Sequence, residues 1–245
     1  MEKITKSQVK LVKSLQQKKF RDELGLFVAE GEKCVSELTK SFELVHLFRE
    51  GENASRTEIE QMSGLRTPQG VIGVFKKNSQ ISNVHSNLTL ALDAIQDPGN
   101  LGTIIRTCDW FGVHDIVCSL DTADCYNPKV VQATMGALAR VHVHYVDLPA
   151  WLQSQIKNQK SKIAIFGTLL DGKNMYDNSH LSSIIYHLSS VIVMGNEGNG
   201  ISAAVRKLIT HPIRIPSYPA DAETSESLNV AVATAIVLAE FRRPK

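Results

Sequence analysis

The chain has 245 residues, of which 43% are hydrophobic and 21% are charged, and its formal net charge is +2. This balance is typical of a globular protein with one large domain or two smaller ones, and it excludes a disordered chain. The first residues lack an apolar signal region and no apolar run reaches the length of a membrane span, so we expect a cytoplasmic protein with no membrane partner.

Cysteine spacing gives no sign of a metal centre or a redox pair. The four cysteines are Cys34, Cys108, Cys118 and Cys125. They form no C-x-x-C pair, and no histidine cluster stands beside them at metal-ligand spacing. We therefore expect reduced thiols in the core and no bound metal.

The first twenty-one residues are strongly basic, with Glu2 as their only acid. The basic residues are Lys3, Lys6, Lys10, Lys13, Lys18, Lys19 and Arg21. Such a segment either binds phosphate groups of a nucleic acid or forms the solvated face of a helix, and the run alone leaves both interpretations open.

In chain order, the first part of the sequence alternates helices and strands. The apolar periodicity predicts helices over residues 5–19, 34–38 and 58–62. Strands are predicted over residues 27–29, 44–48 and 69–75. Residues 1–76 are therefore expected to form a small α/β domain. Residues 77–87, rich in Lys, Asn and Ser, are the predicted linker.

The pattern restarts on a larger scale in the predicted second domain, residues 88–245. Strands are predicted over 88–95, 115–118, 141–146, 163–166, 191–194 and 213–215. Helices are predicted over 102–111, 128–139, 151–158, 202–208 and 227–241. Near-continuous apolar strands separated by helices predict a mostly parallel sheet with helices on both faces. His142 and His144 alternate on one strand and are expected to form a solvent-facing pair.

Ligands of a parallel sheet bind at the carboxyl ends of its strands, so polar residues that follow strands are candidates for a site. The first such loop is 96–107, where Asn100 is expected to cap the following helix and its backbone N–H groups could bind an anion. Arg106 lies among apolar residues on that helix. It must find a partner, either a structural carboxylate or a ligand phosphate.

The second and third loops follow two later strands. In the second, Gly195, Gly198 and Gly200 would let the backbone approach a ligand closely, and Glu197 stands between them. Neither the dinucleotide fingerprint G-x-G-x-x-G nor the phosphate-binding P-loop occurs in the sequence. The third loop, 216–226, leads to Ser227, the expected start of the last helix. Asn229 would then lie inside an apolar helix, which is costly unless its amide has partners.

These three stretches resemble, in order and spacing, the three motifs of the SpoU (TrmH-like) RNA 2'-O-ribose methyltransferases of the SPOUT class. The matching stretches are Asn100 to Arg106, Met194 to Ser202 and Ile215 to Ala233, within a resemblance that covers residues 88–242. Residues 14–21 and 27–31 are similar to the ribosomal-protein-L30e-like substrate-binding domain that precedes this catalytic domain in rRNA-modifying members.

The resemblance implies an α/β catalytic domain over residues 88–245 that ends in a trefoil knot, one of the rare exceptions to the rule against knots. It also implies a homodimer and S-adenosyl-L-methionine as the cofactor. The implied cofactor-binding residues are Thr168, Leu169, Gly195, Asn196, Gly198, Ile215 and Leu228.

The catalytic residues implied by the resemblance are Arg106, Asn100, Glu197, Ser227 and Asn229. A guanidinium is almost never deprotonated, so Arg106 can anchor a phosphate or stabilise an alkoxide as well as it can act as a base. Glu197 is expected to be a partner for Asn100 or Arg106. The sequence departs from the family pattern at Ala231 and Thr134, where the family often has Ser.

The implied function is S-adenosylmethionine-dependent 2'-O-methylation of a ribose in structured RNA, with 23S rRNA favoured by the N-terminal domain. The alternatives are a tRNA 2'-O-methyltransferase and a non-catalytic RNA-binding or ribosome-assembly protein that kept the fold. Retention of Arg106, Glu197, Ser227 and Asn229 as a set favours the enzyme, because a pure binder needs none of them.

Overall fold

A computed structural model describes residues 4–78, 84, 86–158, 163–177, 188–219 and 227–243. The chain divides into two compact units. The first contains Met1–Ser79, Leu101–Arg106 and Asp124–Arg140, and the second contains Gln80–Asn100, Thr107–Ala123 and Val141–Lys245. Parts of the predicted linker and of the third loop, residues 79–83, 85 and 220–226, lie outside the described residues. The predicted domain boundaries stay a prediction.

The first unit contains a small antiparallel sheet with the strand order β1-β3-β2. Its strands are β1 (Leu26–Glu30), β2 (Leu44–Arg49) and β3 (Val71–Lys76). Its helices include α1 (Lys6–Ser14), α2 (Lys18–Leu24), α3 (Glu32–Leu38) and α4 (Arg56–Met62). Val12, Leu15 and Ile59 pack with the strand residue Val74 in its core. The predicted alternation of helices and strands is confirmed in this part.

A single helix over residues 5–19 was predicted, and this is wrong. The chain forms α1 and α2 instead, separated at residues 15–17. The cause is Arg21, whose Nη1 donates to the carbonyl oxygens of Leu15 at 2.9 Å and Gln16 at 3.0 Å. These carbonyls are turned toward the guanidinium, so the helix cannot continue through them.

Arg21 is only 1% exposed, so it is a structural residue and does not belong to the surface that could bind phosphate. Its Nη2 and Nε donate to Asp124 Oδ2 at 2.7 and 3.1 Å. A buried guanidinium is tolerated only when it is paired and its donors are hydrogen-bonded, as they are here. The ion pair fixes the segment Asp124–Arg140 against the first 79 residues within one compact unit.

The second unit is built on a six-stranded sheet in which every pairing is parallel. Its strands are β4 (Leu88–Leu92), β5 (Asp115–Ser119), β6 (His142–Val146), β7 (Ile163–Asn174), β8 (Ser189–Met194) and β9 (His211–Arg214). They lie in the order β6-β5-β4-β8-β7-β9. The predicted parallel sheet is confirmed, and its central strands are buried, as strands covered on both faces must be.

Five further helices follow the strands or connect them. They are α5 (Pro98–Trp110), α6 (Pro128–Thr134), α7 (Leu148–Lys157), α8 (Ala203–Arg206) and α9 (Val230–Phe241), with a 3₁₀ turn at Ala137–Ala139. The helix predicted over 128–139 ends early because Met135 and Gly136 adopt positive φ angles of 53° and 91°. The strand predicted over 88–95 ends at Leu92, and Ala94 has a φ of 59°.

The prediction for the two histidines is half wrong. His142 is exposed, but His144 is buried and its Nε2 lies 3.0 Å from Asp115 Oδ1. Asp115 also accepts a hydrogen bond from Ser86. These bonds and the neighbouring histidines hold the pKa of Asp115 below its usual range although burial acts to raise it. His144 therefore belongs to a polar network at the amino end of the sheet.

The predicted character of the cysteines is confirmed, since all four are buried thiols without disulfide bonds. Burial raises the pKa of Cys34 to about 11, which keeps its thiol protonated and unreactive at neutral pH. In the described ranges, no group of three potential metal ligands comes together. No helix among these ranges is long and apolar enough to cross a membrane.

We predict that Arg21→Ala lowers the free energy of unfolding by about 3 to 5 kcal/mol, because it leaves the mostly buried Asp124 carboxylate without its ion-pair partner. Lys18→Ala is the matched control. It breaks the exposed pair with Asp22 on the same helix and should cost less than about 1 kcal/mol. Urea unfolding followed by circular dichroism measures both. Equal unfolding midpoints for the two variants would contradict the structural role given to Arg21.

Candidate active site at the carboxyl edge of the sheet

The carboxyl ends of the central strands meet at one edge of the sheet, and the predicted site residues of the second unit lie there. β8 lies between β4 and β7, and β7 pairs with β9 on its other side. Thr168, on β7, donates its hydroxyl to the carbonyl oxygen of Val193 on β8 at 3.3 Å. Because the strands are parallel, the segments that follow β4, β8 and β9 emerge at this same edge.

Asn100 does not cap helix α5, contrary to the prediction. Asp97 is the N-cap residue, and its side chain accepts a hydrogen bond from the Asn100 N–H at 2.8 Å. Pro98 at the first helical position explains why the helix begins earlier than predicted, since its fixed φ suits that position and its missing N–H is not needed there. The Asn100 side chain is thereby left for contacts outside its own helix.

Those contacts join two other loops. Asn100 donates through Nδ2 to Glu197 Oε1 at 2.6 Å and accepts through Oδ1 from Asn229 Nδ2 at 3.0 Å. Of the two partners expected for Glu197, Asn100 or Arg106, the structure shows Asn100. We call this three-residue arrangement, Glu197–Asn100–Asn229, the amide bridge. It brings together side chains separated by 97 and 129 positions in the sequence.

Asn229 caps the last helix and does not lie inside it. Its Oδ1 accepts hydrogen bonds from the N–H groups of Ala231 at 3.0 Å and Val232 at 3.3 Å. The predicted helix start at Ser227 is therefore wrong by three positions. The expectation that the Asn229 amide has partners is confirmed, since both of its polar atoms are hydrogen-bonded.

Ser227 and Leu228 directly precede the cap and are both exposed. Leu228 leaves 48% of its surface accessible. Ile215 follows β9 and is half-buried, as is Leu169 on β7. Ile215 and Leu228 lie beyond the end of β9, and Leu169 lies within β7, just after its last pair with β8.

The glycine loop, residues 195–200, folds on Asn196. The Asn196 side chain donates to the carbonyl oxygen of Ala94 at 2.7 Å and accepts from the N–H groups of Gly198 and Asn199 at 2.9 and 3.0 Å. Its backbone exchanges two hydrogen bonds with Gly200. The loop is therefore a closed turn that is anchored to the end of β4.

The glycines of this loop have different reasons to be glycine. A Cβ at Gly195 would lie 2.4 Å from backbone atoms of Gly200 and Ile201, so Gly195 is required by the turn itself. At Gly198 the nearest atom to a Cβ would be Asn196 Oδ1 at 3.6 Å, and at Gly200 nothing lies within 4 Å. Gly198 and Gly200 thus leave open space beside the backbone, whereas Gly195 does not.

Arg106 is exposed on α5, six residues after Asn100. It has no hydrogen-bond or ion-pair partner among the residues that the structure describes. The structural carboxylate that the sequence left open as a partner is thus not found in those residues. A guanidinium held on a helix with its donors unused can receive an anion.

Sequence reasoning missed the contribution of Asp93. Its carboxylate is buried and accepts a hydrogen bond from the N–H of Ser202 at 2.7 Å, and its own N–H donates to the carbonyl oxygen of Met194. These bonds tie the end of β4 to both ends of the glycine loop. An acid directly after the apolar run 88–92 was the available signal.

Comparison with known proteins identifies similar chains for both parts of this one. Residues 87–239 match the SpoU rRNA Methylase family, and residues 6–58 match the MRM3-like substrate binding domain. A relative from Bacillus subtilis, described as 23S rRNA (guanosine(2553)-2'-O)-methyltransferase RlmP, is 30% identical over 99% of this chain and 98% of its own.

Two solved structures have the same overall fold. One, from Porphyromonas gingivalis and described as a putative RNA methyltransferase of the TrmH family, is 34% identical with a TM-score of 0.86, covering 98% of each chain. The other is an AdoMet-bound rRNA methyltransferase from Sinorhizobium meliloti, 29% identical with a TM-score of 0.83. It covers 99% of this chain and 97% of its own.

Proposed function

This chain belongs to the SpoU rRNA methylase family, and from that membership we propose that it methylates the 2'-hydroxyl of a ribose in 23S rRNA. S-adenosylmethionine is the cofactor. The observation that carries the proposal is the amide bridge, which assembles three polar residues of the family motifs at the carboxyl edge of the sheet. The Bacillus subtilis relative, aligned over nearly both full chains, supports an rRNA substrate over a tRNA. We further propose a cytoplasmic location, as expected of an enzyme that acts on bacterial 23S rRNA.

The cofactor would be held by β7 and by the segments that follow β8 and β9. The residues proposed to contact it are Thr168, Leu169, Gly195, Asn196, Gly198, Ile215 and Leu228. They fit such a ligand because Gly198 leaves open space beside its backbone, while Leu228 and Ile215 offer apolar surface to a purine ring. When bound, S-adenosylmethionine supplies an electrophilic methyl group.

The chain's own residues position the ribose and stabilise charge on its oxygen. Loss of the 2'-hydroxyl proton creates negative charge, and Arg106 is the exposed cation that we assign to stabilise it or to anchor the adjacent phosphate. Ser227 and Asn229 are assigned to orient the ribose. Glu197 holds Asn100 in place through the 2.6 Å hydrogen bond, so we assign it a positioning role.

We extend the proposal to the path of the chain. The last helix would pass through a trefoil knot, as in the family. The position of Asn229 supports this, because it follows the edge strand β9 in sequence but contacts Asn100, which follows β4, and β7 and β8 lie between those two strands. Residues 88–245 would form this catalytic domain, joined by the linker 77–87 to residues 1–76.

Residues 1–76 are proposed to bind the RNA. Lys6, Lys10 and Lys13 lie on one face of α1, because they are spaced by four and three residues, and all three are exposed. Lys19 is also exposed, whereas Lys18 forms an ion pair with Asp22. A row of exposed lysines without carboxylates between them suits a phosphate backbone.

The protein is further proposed to act as a homodimer, with a second copy covering an apolar surface of α5 and α9. Trp110 is 85% exposed at the end of α5, and Val232 is 50% exposed on α9. Arg242 donates to the carbonyl oxygens of Phe111 and Gly112 at 2.9 and 3.0 Å, so the ends of the two helices lie side by side. Exposed large apolar side chains on two neighbouring helices are typical of an interface between subunits.

We predict that Arg106→Ala lowers the rate of methyl transfer about 100-fold or more, because it removes the cation that stabilises the developing charge. S-adenosylmethionine binding, measured by calorimetry, should stay unchanged. Arg106→Lys should retain part of the activity, and the exposed control Lys157→Ala should retain all of it. Full turnover by Arg106→Ala would refute this role. Failure of the unmodified protein to bind the cofactor would favour the non-catalytic alternative.

Reversing two charges on α1 tests the RNA-binding role of the first 76 residues. Lys10→Glu/Lys13→Glu should weaken binding to a 23S rRNA transcript and reduce the slope of log K against log salt by about 1 to 2, since two phosphate contacts are lost. Lys33→Glu/Lys40→Glu, at exposed lysines on α3 and just after it, gives the same net charge and serves as the control. If only cofactor affinity changed, the RNA would bind elsewhere.

Trp110→Asp should convert the dimer to a monomer, because a carboxylate cannot be buried in an apolar interface without a partner. Sedimentation equilibrium measures the mass directly. The control is Ile156→Asp, which adds the same charge at another exposed apolar side chain, on α7, and should leave the dimer intact. A monomeric unmodified protein, or a dimeric Trp110→Asp, would rule out this interface.

A further inference from the structure

The segment after β5 is a tight turn whose corner carries an exposed leucine. The N–H of Thr122 donates to the carbonyl oxygen of Ser119 at 3.1 Å, which makes Leu120 and Asp121 the two corner residues. Ser119 and Thr122 are buried, whereas Leu120 is 72% exposed. The turn is thus fixed at its base, and its apolar corner projects into solvent.

This turn is joined to the glycine loop through Ala94, which lies in the segment after β4. The N–H of Ala94 donates to Ser119 Oγ at 2.8 Å, and the carbonyl oxygen of Ala94 accepts from Asn196 Nδ2 at 2.7 Å. A further bond runs from the N–H of Ala123 to the carbonyl oxygen of Ile95 at 2.8 Å. Leu120 and Asp121 therefore have fixed positions. Their turn follows β5 on one side of β4, and the glycine loop follows β8 on the other side.

Asp121 is oriented by the same hydroxyl. Ser119 Oγ donates to Asp121 Oδ1 at 2.6 Å, and Asp121 is exposed. Its other oxygen, Oδ2, has no hydrogen-bond donor in the described part of the chain. The corner thus presents an apolar side chain next to a carboxylate whose direction is set before any ligand arrives.

We propose that Leu120 and Asp121 recognise the base of the nucleotide that is methylated, and that this base is guanine. This inference rests on the proposed function. A base offers a flat apolar face that can pack on Leu120, and its edge can donate hydrogen bonds to Asp121. Guanine suits a carboxylate best, because its N1–H and its N2 amino group are adjacent donors. Adenine, cytosine and uracil each have only one donor group on that edge.

The position of the turn supports a base contact over a phosphate contact. A carboxylate repels phosphate, so a backbone-binding surface would not carry Asp121 at its corner. The network through Ala94 also places the turn next to the glycine loop, where the ribose must come to receive its methyl group. The base attached to that ribose would then lie within reach of the turn after β5.

The test compares 23S rRNA transcripts that carry guanosine or inosine at the modified nucleotide, once that nucleotide has been mapped. Inosine lacks only the N2 amino group. For the unmodified protein we expect kcat/KM to fall about tenfold on the inosine transcript, as for loss of part of a bidentate contact. For Asp121→Ala the two transcripts should give nearly equal values. Leu120→Ala should raise KM for both, with S-adenosylmethionine affinity unchanged.

Ile156→Ala and Asp177→Asn are the controls, because they alter an exposed apolar and an exposed acidic side chain of the same unit. Both should retain the preference for guanosine. If the mapped nucleotide is not guanosine, or if active Leu120→Ala and Asp121→Ala behave as the unmodified protein, the inference is overturned while the proposed function stands. If the unmodified protein methylates no RNA, the proposed function fails and this inference fails with it.

Discussion

The geometry of the site depends on the direction of one amide, that of Asn229. Its oxygen is committed to the two backbone N–H groups at the start of α9, so its nitrogen must point away from the helix and donate. The Asn100 amide must therefore point its oxygen toward Asn229 and its nitrogen toward Glu197. The helix cap thus determines the orientation of every group in the amide bridge.

The fixed orientation of the Asn100 amide helps to separate the roles of Glu197 and Arg106. Glu197 accepts from Asn100 as a carboxylate and lies close to the start of α5, where the exposed N–H groups of a helix favour negative charge. Glu197 therefore occupies a structural position. Arg106, further along the same helix, has no carboxylate partner among the described residues, so its charge is not neutralised there. The bridge joins the three loops, and in the proposed function Arg106 is the residue that would contact the RNA.

The sequence was sufficient for the strands, the parallel sheet and the partnership of Glu197 with Asn100. It failed where two neighbouring polar residues could each have taken the same position. Asp97 and Asn100 are both good capping residues, and so are Ser227 and Asn229, and only the tertiary contacts of the amides decide between them. Arg21 was misjudged for a related reason, because its partner Asp124 lies 103 positions away and no local pattern marks it.

Ala94 shows how rigid this edge of the sheet is. An alanine with a φ of 59° is strained by about 1 to 3 kcal/mol, and glycine would relieve that strain. The conformation persists because it directs the N–H of Ala94 to Ser119 and its carbonyl oxygen to Asn196. Moving either the turn after β5 or the glycine loop after β8 would break one of these bonds while the strain remained. The two segments are therefore held as one surface, and in the proposed reaction the ribose and its base would be oriented on it together.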